Sequence, residues 1–399
     1  MIGFTLGSLA ALAALVAFAA RRGGRPFATF AGIIFGIHTL VSCVLAPRLP
    51  AWAFPLFAYG QCAFYLHAMT FARGAMPSLL RRVVVSWPGS VFAAGTFLAI
   101  PWAVLGAFTH YGTTTLWVPY GAALLGLAQS FALRPKGVHV HLDGAPVETL
   151  RRAPLSPPRE APALRVVQIS DPHLGTFMSE ERLRAVCERA VAEAPDLVLL
   201  TGDFLTIESN GNAEALGRAL EPLRALEGRT FACFGNHDHE TPDAVRRGLS
   251  HAGVTLLVDA AARVETARGP VEVIGYDFVF RGRREHLAAV TARHPRDGAT
   301  LRLAMLHDPG AFAHLPDGAA DLVFAGHTHG GQVGLVSFGL PLTAVSALSD
   351  IPDHGLWALG AMRLYVHRGT GHYGFPVRVG VGPEEGVLHV HDGRAAHSR

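Results

Sequence analysis

Polar residues that can bind metal ions follow five apolar runs after residue 163 of the 399-residue sequence. Each run has the length and the continuous apolar character of a buried strand. The residues directly after the five runs are Asp171-Pro172-His173, Gly202-Asp203, Gly235-Asn236-His237-Asp238, His307-Asp308 and Gly326-His327-Thr328-His329. Because strand ends in an open α/β sheet converge on one crevice, we expect these side chains to form a single site.

The ligand types in this set are imidazoles and hard oxygen atoms, with no thiol among them. Such ligands favour Mn, Fe, Zn or Co over Ca or a structural zinc ion. Seven ligands are too many for one ion with an open position, but they suit two ions that share a carboxylate, and Asp203 is the expected bridge. The glycines beside Asp203, Asn236 and His327 permit sharp turns. Taken singly, a motif such as Asp-Pro-His is more typical of a turn, so the prediction rests on all five together.

The elements that position these residues begin with a strand at 164–170, a helix at 180–193 and a second strand at 197–201. Ser179 can cap this helix, and Pro195 stops it. A strand, a helix and a strand within about 40 residues form a βαβ unit. The sequence therefore predicts an α/β domain with parallel strand pairing.

The order of the motifs resembles the calcineurin-like metallophosphoesterase superfamily, whose pattern is D-x-H, GD, GN-H-[DE], H and GHxH. The resemblance covers residues 164–391 and implies a four-layer α-β-β-α sandwich with mixed sheets. It also implies two divalent metal ions. The implied ligands of the first ion are Asp171, His173, Asp203 and His329, and those of the second are Asp203, Asn236, His307 and His327. His237 stands where the family has a catalytic histidine that binds no metal.

Four further segments are similar to a bacterial membrane-associated branch that contains the YaeI-like and YkuE-like phosphodiesterases. These segments are His307-Asp308-Pro309, Gly330-Gly331-Gln332, Tyr365-Val366-His367-Arg368-Gly369 and Pro376-Val377-Arg378. The branch also resembles an enzyme that hydrolyses a UDP-diacylglucosamine precursor of lipid A. Its members usually have one anchoring helix, fewer than this sequence predicts.

The expected mechanism is attack on phosphorus by a hydroxide that bridges the two metal ions. His237, oriented by Asp238, would donate a proton to the leaving oxygen. Asp308 either orients the neighbouring histidine or caps the next helix. A basic cluster of three arginines either binds an anionic group of the substrate or is a solvated run of charge. Its members are Arg281, Arg283 and Arg284.

Residues 1–133 differ from the rest of the chain because they contain seven Arg and no Asp, Glu or Lys. Uncharged stretches at 2–20, 27–46, 51–72, 88–109 and 113–133 each approach the ~20 residues that cross a bilayer as a helix. They predict an N-terminal α-helical transmembrane bundle of about five helices, although the first stretch could also be a cleaved signal peptide.

Basic residues follow the first, third and fifth of these stretches, at Arg21, Arg22, Arg25, Arg73, Arg81, Arg82, Arg134 and Lys136. By the positive-inside rule, the N-terminus lies outside and the chain after residue 134 lies in the cytoplasm. An extracytoplasmic catalytic domain is the alternative.

The predicted organisation is a multi-pass transmembrane domain at 1–133, a Pro-rich linker at 134–163, a metallophosphoesterase domain at 164–391 and a tail at 392–399. The linker can contain an edge strand at 138–142. The predicted function is a phosphohydrolase of the bacterial cytoplasmic membrane that cleaves a phosphodiester or pyrophosphate bond, and the predicted substrate is a lipid or a cell-envelope precursor.

Two alternative functions are a transporter or channel with a metal-binding regulatory domain and an anchored phosphoesterase that acts on soluble nucleotides. Nucleic acid is not an expected partner, since no segment combines a basic face with aromatic residues.

Overall fold

The computed structural model describes residues 1–69, 76–108, 115–132, 135–372 and 378–392. The chain divides into two compact units. Of the described residues, those within 1–131 and residues 378–379 belong to the first unit, and those within 132–372 and 380–392 belong to the second. Part of the Pro376-Val377-Arg378 segment and nearly all of the predicted tail lie outside the described residues.

The first unit is helical. Its helices are α1 (Ile2–Leu45), α2 (Phe54–Ala68), α3 (Leu79–Arg81), α4 (Trp87–Leu98), α5 (Ile100–Phe108) and α6 (Trp117–Phe131), and a π-helical turn at Arg82–Ser86 joins α3 to α4. Helix α1 contains a kink at Gly24, whose φ of 72° is not helical. Aromatic and small apolar side chains from α1, α2, α4 and α5 form the core of this unit.

Two helical segments of this unit are long and apolar enough to cross a membrane, Ile2–Arg21 and Ala28–Arg48. A third span results if the bent pair Leu79–Leu98 and Ile100–Gly106, with an angle of 51°, counts as one. The part of the chain that the structure describes thus has two or three candidate spans, and the full set of about five stays a prediction. Residues 70–72, 109, 113–114 and 133 of the predicted stretches, together with Arg73 and Arg134, lie outside that part.

The second unit is a sandwich of two mixed sheets. Its strands are β1 (Pro135–His141), β2 (Val147–Arg152), β3 (Leu164–Ile169), β4 (Leu197–Leu200), β5 (Thr230–Ala232), β6 (Thr255–Leu256), β7 (Ala260–Thr266), β8 (Gly269–Tyr276), β9 (Leu301–Leu306), β10 (Leu322–Ala325), β11 (Gly355–Gly360), β12 (Met362–Val366) and β13 (Glu385–His391). The first sheet has the order β1-β13-β3-β4-β5-β6, and the second has the order β2-β11-β12-β10-β9-β8-β7.

The main core lies between the sheets, because side chains of both meet in one buried cluster that includes Val166, Leu199, Leu303 and Phe324. Three helices connect the consecutive strands β3, β4, β5 and β6 of the first sheet: α7 (Glu180–Ala192), α8 (Ala213–Leu220) and α9 (Pro242–His251). Helix α10 (Arg283–Arg293) packs on the second sheet. A short helix α11 (Ala344–Leu348) follows β10. The predicted mixed-sheet α/β domain is therefore confirmed.

The βαβ unit expected from the sequence is β3-α7-β4, with parallel pairing of the two strands. Ser179 caps α7 by accepting a hydrogen bond from the backbone N–H of Arg182 at 3.2 Å. The segment predicted as a linker contains more structure than one edge strand. Its first strand, β1, pairs with β13, and its second, β2, pairs with β11 of the other sheet.

Candidate metal centre

The five motifs lie directly after β3, β4, β5, β9 and β10, at one end of the sandwich. Hydrogen bonds join the two sheets at this end. The side-chain amide of Gln168 in β3 donates to the Thr201 hydroxyl at 2.9 Å and to the carbonyl of Ala325 at 3.0 Å. The expected single crevice therefore exists, but strands of two facing sheets form it rather than one open sheet.

Five of the seven predicted ligands have a positive φ, a conformation that few residues other than glycine adopt. They are Asp171 (51°), His173 (45°), Asp203 (59°), His327 (67°) and His329 (52°). Such conformations cost about 1–3 kcal/mol each and persist only where the surroundings enforce them. Their concentration at these strand ends marks a functional site, and the sequence alone did not reveal it.

Glycines allow the loops to approach each other closely. A Cβ atom on Gly235 would lie 2.2 Å from Oδ1 of Asp203, and one on Gly326 would lie 2.1 Å from Oδ2 of Asp171. Both distances are far below van der Waals contact, so a side chain at either position would displace a carboxylate. These close approaches explain why glycine precedes Asn236 and His327 in the sequence.

The predicted ligands form two groups. Ligand atoms of Asp171, His173 and His329 lie within 4.8 Å of one another, and so do those of Asp203, His307 and His327. Oδ2 of Asp203 is 3.3 Å from Nε2 of His307, and it is also 3.6 Å from Nε2 of His173 in the first group. The carboxylate of Asp203 thus lies between the two groups, which is the position expected of a bridging ligand.

Hydrogen bonds to atoms outside the two groups orient these ligands. Nδ1 of His307 donates to the carbonyl of Thr201 at 2.6 Å, which leaves Nε2 for a metal ion. The carboxylate of Asp171 accepts hydrogen bonds from the hydroxyl of Ser170 at 2.5 Å and from the backbone N–H of His327 at 3.0 Å. Backbone and hydroxyl donors therefore hold the ligands in place.

The side chain of Asn236, the amide ligand predicted from the sequence, is also available to bind a cation. Oδ1 of Asn236 is buried and has no hydrogen-bond partner among the described residues. A buried oxygen without a partner costs about 1–3 kcal/mol, and a metal ion would offset that cost. The donor set therefore fits the divalent metal ions that the resemblance implies.

The electrostatics of the site favour positive charge at its centre. Burial alone would lower the pKa of His307, but Asp203 and Asp171 raise this pKa to about 10. Burial lowers the pKa of His173 to about 4, and burial and the neighbouring His307 lower that of His327 to about 4. These two rings are therefore neutral near pH 7, as metal coordination requires.

His237 lies at the edge of this centre, with its ring centroid 5.7 Å from that of His173. Its backbone N–H donates to Oδ1 of Asp203 at 2.9 Å, and its side chain is 21% exposed. A carboxylate does contact its ring, but the residue is Glu240, whose Oε1 lies 2.8 Å from Nδ1. The expectation that Asp238 orients this ring is therefore corrected.

The local backbone explains the correction. Residues 238–240 form a turn of 3-10 helix, in which side chains three positions apart lie one above the other, so His237 and Glu240 meet. Asp238 points into the loops instead. Its carboxylate accepts hydrogen bonds from the backbone N–H groups of Asp203, Phe204 and Gly235 at 2.7–2.9 Å. The spacing of three between a histidine and a glutamate was the available sequence signal.

Asp308 and one member of the arginine cluster, Arg283, form contacts within the protein. Asp308 accepts a hydrogen bond from the backbone N–H of Gly310 at 2.8 Å, so it caps the helical turn at 309–314 and does not orient the ring nitrogen of its neighbour. Arg283 forms an ion pair with Asp308 at 2.6 Å, so that carboxylate would compete with an anionic group of the substrate for this guanidinium. Arg281 and Arg284 are exposed.

Exposed apolar residues, which were not predicted from the sequence, directly follow the last ligand motif along the chain. The segment 333–351, here called the apolar loop, directly follows the Gly-His-Thr-His-Gly-Gly-Gln motif and contains one charged residue. The hydroxyl of Thr328 donates to the carbonyl of Asp353 at 2.6 Å, which fixes the end of the loop beside the ligands. Its large exposed side chains are Leu335, Phe338, Leu340, Leu342, Leu348 and Ile351.

Comparison with known proteins agrees with this geometry. The family model described as calcineurin-like phosphoesterase matches residues 164–331. The chain is 30% identical over 234 residues to phosphodiesterase YaeI of Escherichia coli, which covers 58% of this chain and 83% of that protein. It is 28% identical to the uncharacterized metallophosphoesterase YkuE of Bacillus subtilis, over 55% of this chain and 76% of that one.

A third relative is UDP-2,3-diacylglucosamine pyrophosphatase LpxG of Chlamydia muridarum, which is 26% identical over 52% of this chain and 78% of that protein. The predicted resemblance, including its YaeI-like and YkuE-like branch, is thereby confirmed. With the motifs, the two ligand groups and these relatives in agreement, the chain belongs to the calcineurin-like metallophosphoesterases, a family of hydrolases that cleave phosphoester bonds.

Proposed function

We propose that this protein is a membrane-embedded phosphohydrolase whose two divalent metal ions share Asp203. The observation that carries the proposal is the position of this carboxylate, 3.3 Å from Nε2 of His307 in one ligand group and 3.6 Å from Nε2 of His173 in the other. When bound, two such ions supply positive charge to the phosphoryl oxygens and activate water for attack on phosphorus.

The chain itself would hold the ions with the seven ligands predicted from the sequence. Asp171, His173, Asp203 and His329 would bind one ion, and Asp203, Asn236, His307 and His327 the other. The two groups of ligand atoms support this assignment for six of the residues. The unpartnered amide oxygen supports it for Asn236. All ligand positions are filled, which argues against a regulatory module that has lost its metal.

His237 would act as the general acid of the reaction. Burial would by itself lower its pKa, but the hydrogen bond with Glu240 and the charge of Asp203 raise this pKa above its usual value. A protonated ring at the edge of the centre can donate a proton to the leaving oxygen, and such acids contribute about 10² to 10⁴ in rate. Glu240 would orient the ring and keep it protonated.

A lipid-linked phosphodiester or pyrophosphate is the substrate class that the surroundings support best. In the apolar loop, Phe338 is 75% exposed and Leu348 is 87% exposed. Beside the second ligand group, the ring centroid of Phe278 is 6.2 Å from that of His327, and Phe280, whose ring packs on Phe278, is 78% exposed. Exposed apolar side chains grouped in one segment are typical of a binding surface, and acyl chains of a lipid would cover them.

Two further observations support a membrane substrate. The chain contains two helices that can cross a bilayer, and one relative is a pyrophosphatase of UDP-2,3-diacylglucosamine. We infer a multi-pass protein of the bacterial cytoplasmic membrane with its catalytic domain in the cytoplasm, because the arginines flank the apolar stretches on that side. A C-terminal reporter that is active only outside the cytoplasm would reverse this topology.

The decisive experiment is an assay of the purified protein in detergent with Mn²⁺. The substrates are bis-p-nitrophenyl phosphate, a UDP-linked diacyl lipid and a soluble nucleotide diester, and the control is Asp203→Asn. We expect wild-type turnover of the first two and a loss of at least about 100-fold in the variant, or about 2.7 kcal/mol of transition-state stabilisation.

Each substrate answers a separate question. Absence of metal-dependent release from all three substrates would exclude the enzyme. Preference for the soluble nucleotide over the lipid would instead support an anchored phosphoesterase whose helices serve only for attachment.

A further inference from the structure

The apolar loop, residues 333–351, holds most of the exposed large apolar side chains of the second unit. Of the eight such side chains in the described part of that unit, six lie in this loop. The loop contains a single charged residue, Asp350. Exposed apolar side chains scattered singly are ordinary, but a group of this size in one short segment is typical of a surface that a partner covers.

The loop is folded, so the exposure of these side chains does not result from a loose chain. The backbone N–H of Leu335 donates to the carbonyl of Leu342 at 2.8 Å, and the N–H of Phe338 donates to the carbonyl of Leu335 at 2.9 Å. The N–H of Ser337 donates to the carbonyl of Gly380 at 2.8 Å, which ties the loop to the chain before β13. These hydrogen bonds hold a compact turn that keeps its apolar side chains exposed.

Polar groups of the loop are bonded within the protein. The N–H of Thr343 donates to Oγ of Ser346 at 2.9 Å, and the N–H of Ser346 donates to Oγ1 of Thr343 at 3.1 Å. The hydroxyl of Ser349 donates to the carbonyl of Val345 at 3.1 Å. Polar groups without a partner are costly wherever water is scarce. These internal bonds therefore suit a loop that leaves water for the boundary between lipid headgroups and acyl chains.

An exposed phenyl ring with arginines beside it lies near the same ligand motif. The ring centroid of Phe278 is 6.2 Å from that of His327, and the ring of Phe280 meets that of Phe278 edge to face at 4.6 Å. Phe280 is exposed, and guanidinium groups beside an exposed apolar side chain are complementary to anionic lipid headgroups. The exposed charged residues that follow it are Arg281, Arg284 and Glu285, so positive charge is in excess.

We propose that the apolar loop inserts into the interfacial layer of an anionic lipid bilayer and that Arg281 and Arg284 contact lipid phosphates at the same surface. The partner is a bilayer because the same chain contains two helices that can cross one, Ile2–Arg21 and Ala28–Arg48. A bilayer is therefore always within reach of the second unit. Apolar side chains that enter the boundary between headgroups and acyl chains, with basic residues at the level of the phosphates, are typical of such binding.

This inference rests on the proposed function and deepens it. Both ends of the loop are joined to the ligand motif, since the loop begins four residues after His329 and the hydroxyl of Thr328 donates to the carbonyl of Asp353 just beyond its end. Insertion would therefore bring the metal centre to the bilayer surface, where a lipid-linked phosphate can reach it while its acyl chains stay in the membrane. The loop would contact bilayer lipids whether or not a substrate is bound.

The test is the environment of nitroxide labels on the full chain, reconstituted into vesicles of phosphatidylcholine and phosphatidylglycerol. The labels are attached at Phe338→Cys or Leu348→Cys, two exposed positions of the loop. The matched control is Ala267→Cys, which is exposed in the turn between β7 and β8. Collisions of each label with O₂, which concentrates in lipid, are compared with collisions with a water-soluble nickel chelate.

The native cysteines allow this labelling. Cys43→Ser and Cys62→Ser remove the two thiols that are not buried. Cys187 and Cys233 are buried and stay unlabelled.

We expect collisions with O₂ to dominate at both loop positions and collisions with the nickel chelate to dominate at the control position. Dominance of the nickel chelate at both loop positions would mean that the loop lies in water, and it would overturn the proposal. Low collision rates with both reagents would mean that protein covers the loop, either the helical unit or a second copy of the chain, and would also overturn it. The labels report without turnover, so a failure of the proposed hydrolysis would be seen separately.

A second measurement tests the arginines. In anionic vesicles, the variant with Arg281→Gln and Arg284→Gln should lower the ratio of O₂ to nickel collisions at Leu348→Cys to the value found in vesicles of phosphatidylcholine alone. Arg268→Gln, an exposed arginine in the turn between β7 and β8, is the matched control and should leave the ratio unchanged. A ratio that responds neither to lipid charge nor to the double variant would overturn the assignment of these arginines to the surface.

Discussion

Substitution of Gly235 by alanine is the sharpest test of the proposed bridging ligand. The added Cβ would lie 2.2 Å from Oδ1 of Asp203 and 2.6 Å from its backbone nitrogen, whereas ordinary contact begins at 3.4 Å. The carboxylate must therefore move by about 1.2 Å, the difference between 3.4 and 2.2 Å. A misplacement of about 1 Å in a catalytic group can cost 10²-fold in rate. We expect a fall of about 100-fold in kcat/KM and reduced metal content.

The assay is hydrolysis of bis-p-nitrophenyl phosphate with Mn²⁺, combined with metal analysis and thermal unfolding. Overpacking of this kind also costs about 1–3 kcal/mol of stability, so the fold should survive at a lower melting temperature. The control is Gly137→Ala in β1, because a Cβ there has no atom within 4 Å. If Gly235→Ala keeps its metal and falls less than threefold in activity, the carboxylate position does not limit the reaction and the argument for the bridge is wrong.

Three more predictions concern the same centre. Replacing Glu240 by Gln should lower turnover of esters with poor leaving groups by about 10-fold or more but spare p-nitrophenyl esters, since only the former need a general acid at His237; equal loss on both would contradict the role. Replacing Phe338 and Leu348 by Ser should lower kcat/KM for a UDP-linked diacyl lipid by about 10-fold and leave bis-p-nitrophenyl phosphate unaffected, because these exposed apolar side chains are proposed to cover the acyl chains; unchanged lipid hydrolysis would remove the apolar loop from substrate binding. Removal of metal ions by a chelator should abolish activity and lower the melting temperature, since an ion at 100 times its Kd stabilises the fold by about 2.7 kcal/mol; a chelated protein with full activity would refute the metal dependence.

The elements that carry the centre were predicted correctly where residues close together in the sequence determine them. The β3-α7-β4 unit has the expected boundaries to within one residue, and its cap Ser179 is the residue that its position indicated. The five strand ends were also found, because apolar runs followed by ligand residues need no knowledge of tertiary contacts. Two facing sheets were expected from the family resemblance, whereas strand periodicity alone indicated only parallel pairing.

Other features depend on contacts that sequence spacing does not show. The partner of His237 was misassigned because adjacency favoured Asp238, while a turn of 3-10 helix brings Glu240 to the ring. Hydropathy identified the apolar stretches but not the bend of 51° that separates Leu79–Leu98 from Ile100–Gly106. His139 and His391 come from the two ends of the second unit, and the parallel pairing of β1 with β13 brings their rings together.

The positive φ angles of the ligands restrict which substitutions the centre can accept. The left-handed region is open to Asp, Asn, His and Gly but is strongly unfavourable for β-branched residues. Asp171, His173, Asp203, His327 and His329 all satisfy this backbone requirement as well as the ligand requirement. Glycine satisfies only the first, and it would relieve the backbone strain while removing a ligand. Exchange of a ligand for glycine would therefore relieve about 1–3 kcal/mol of backbone strain, which offsets part of the stability that is lost with the bound ion.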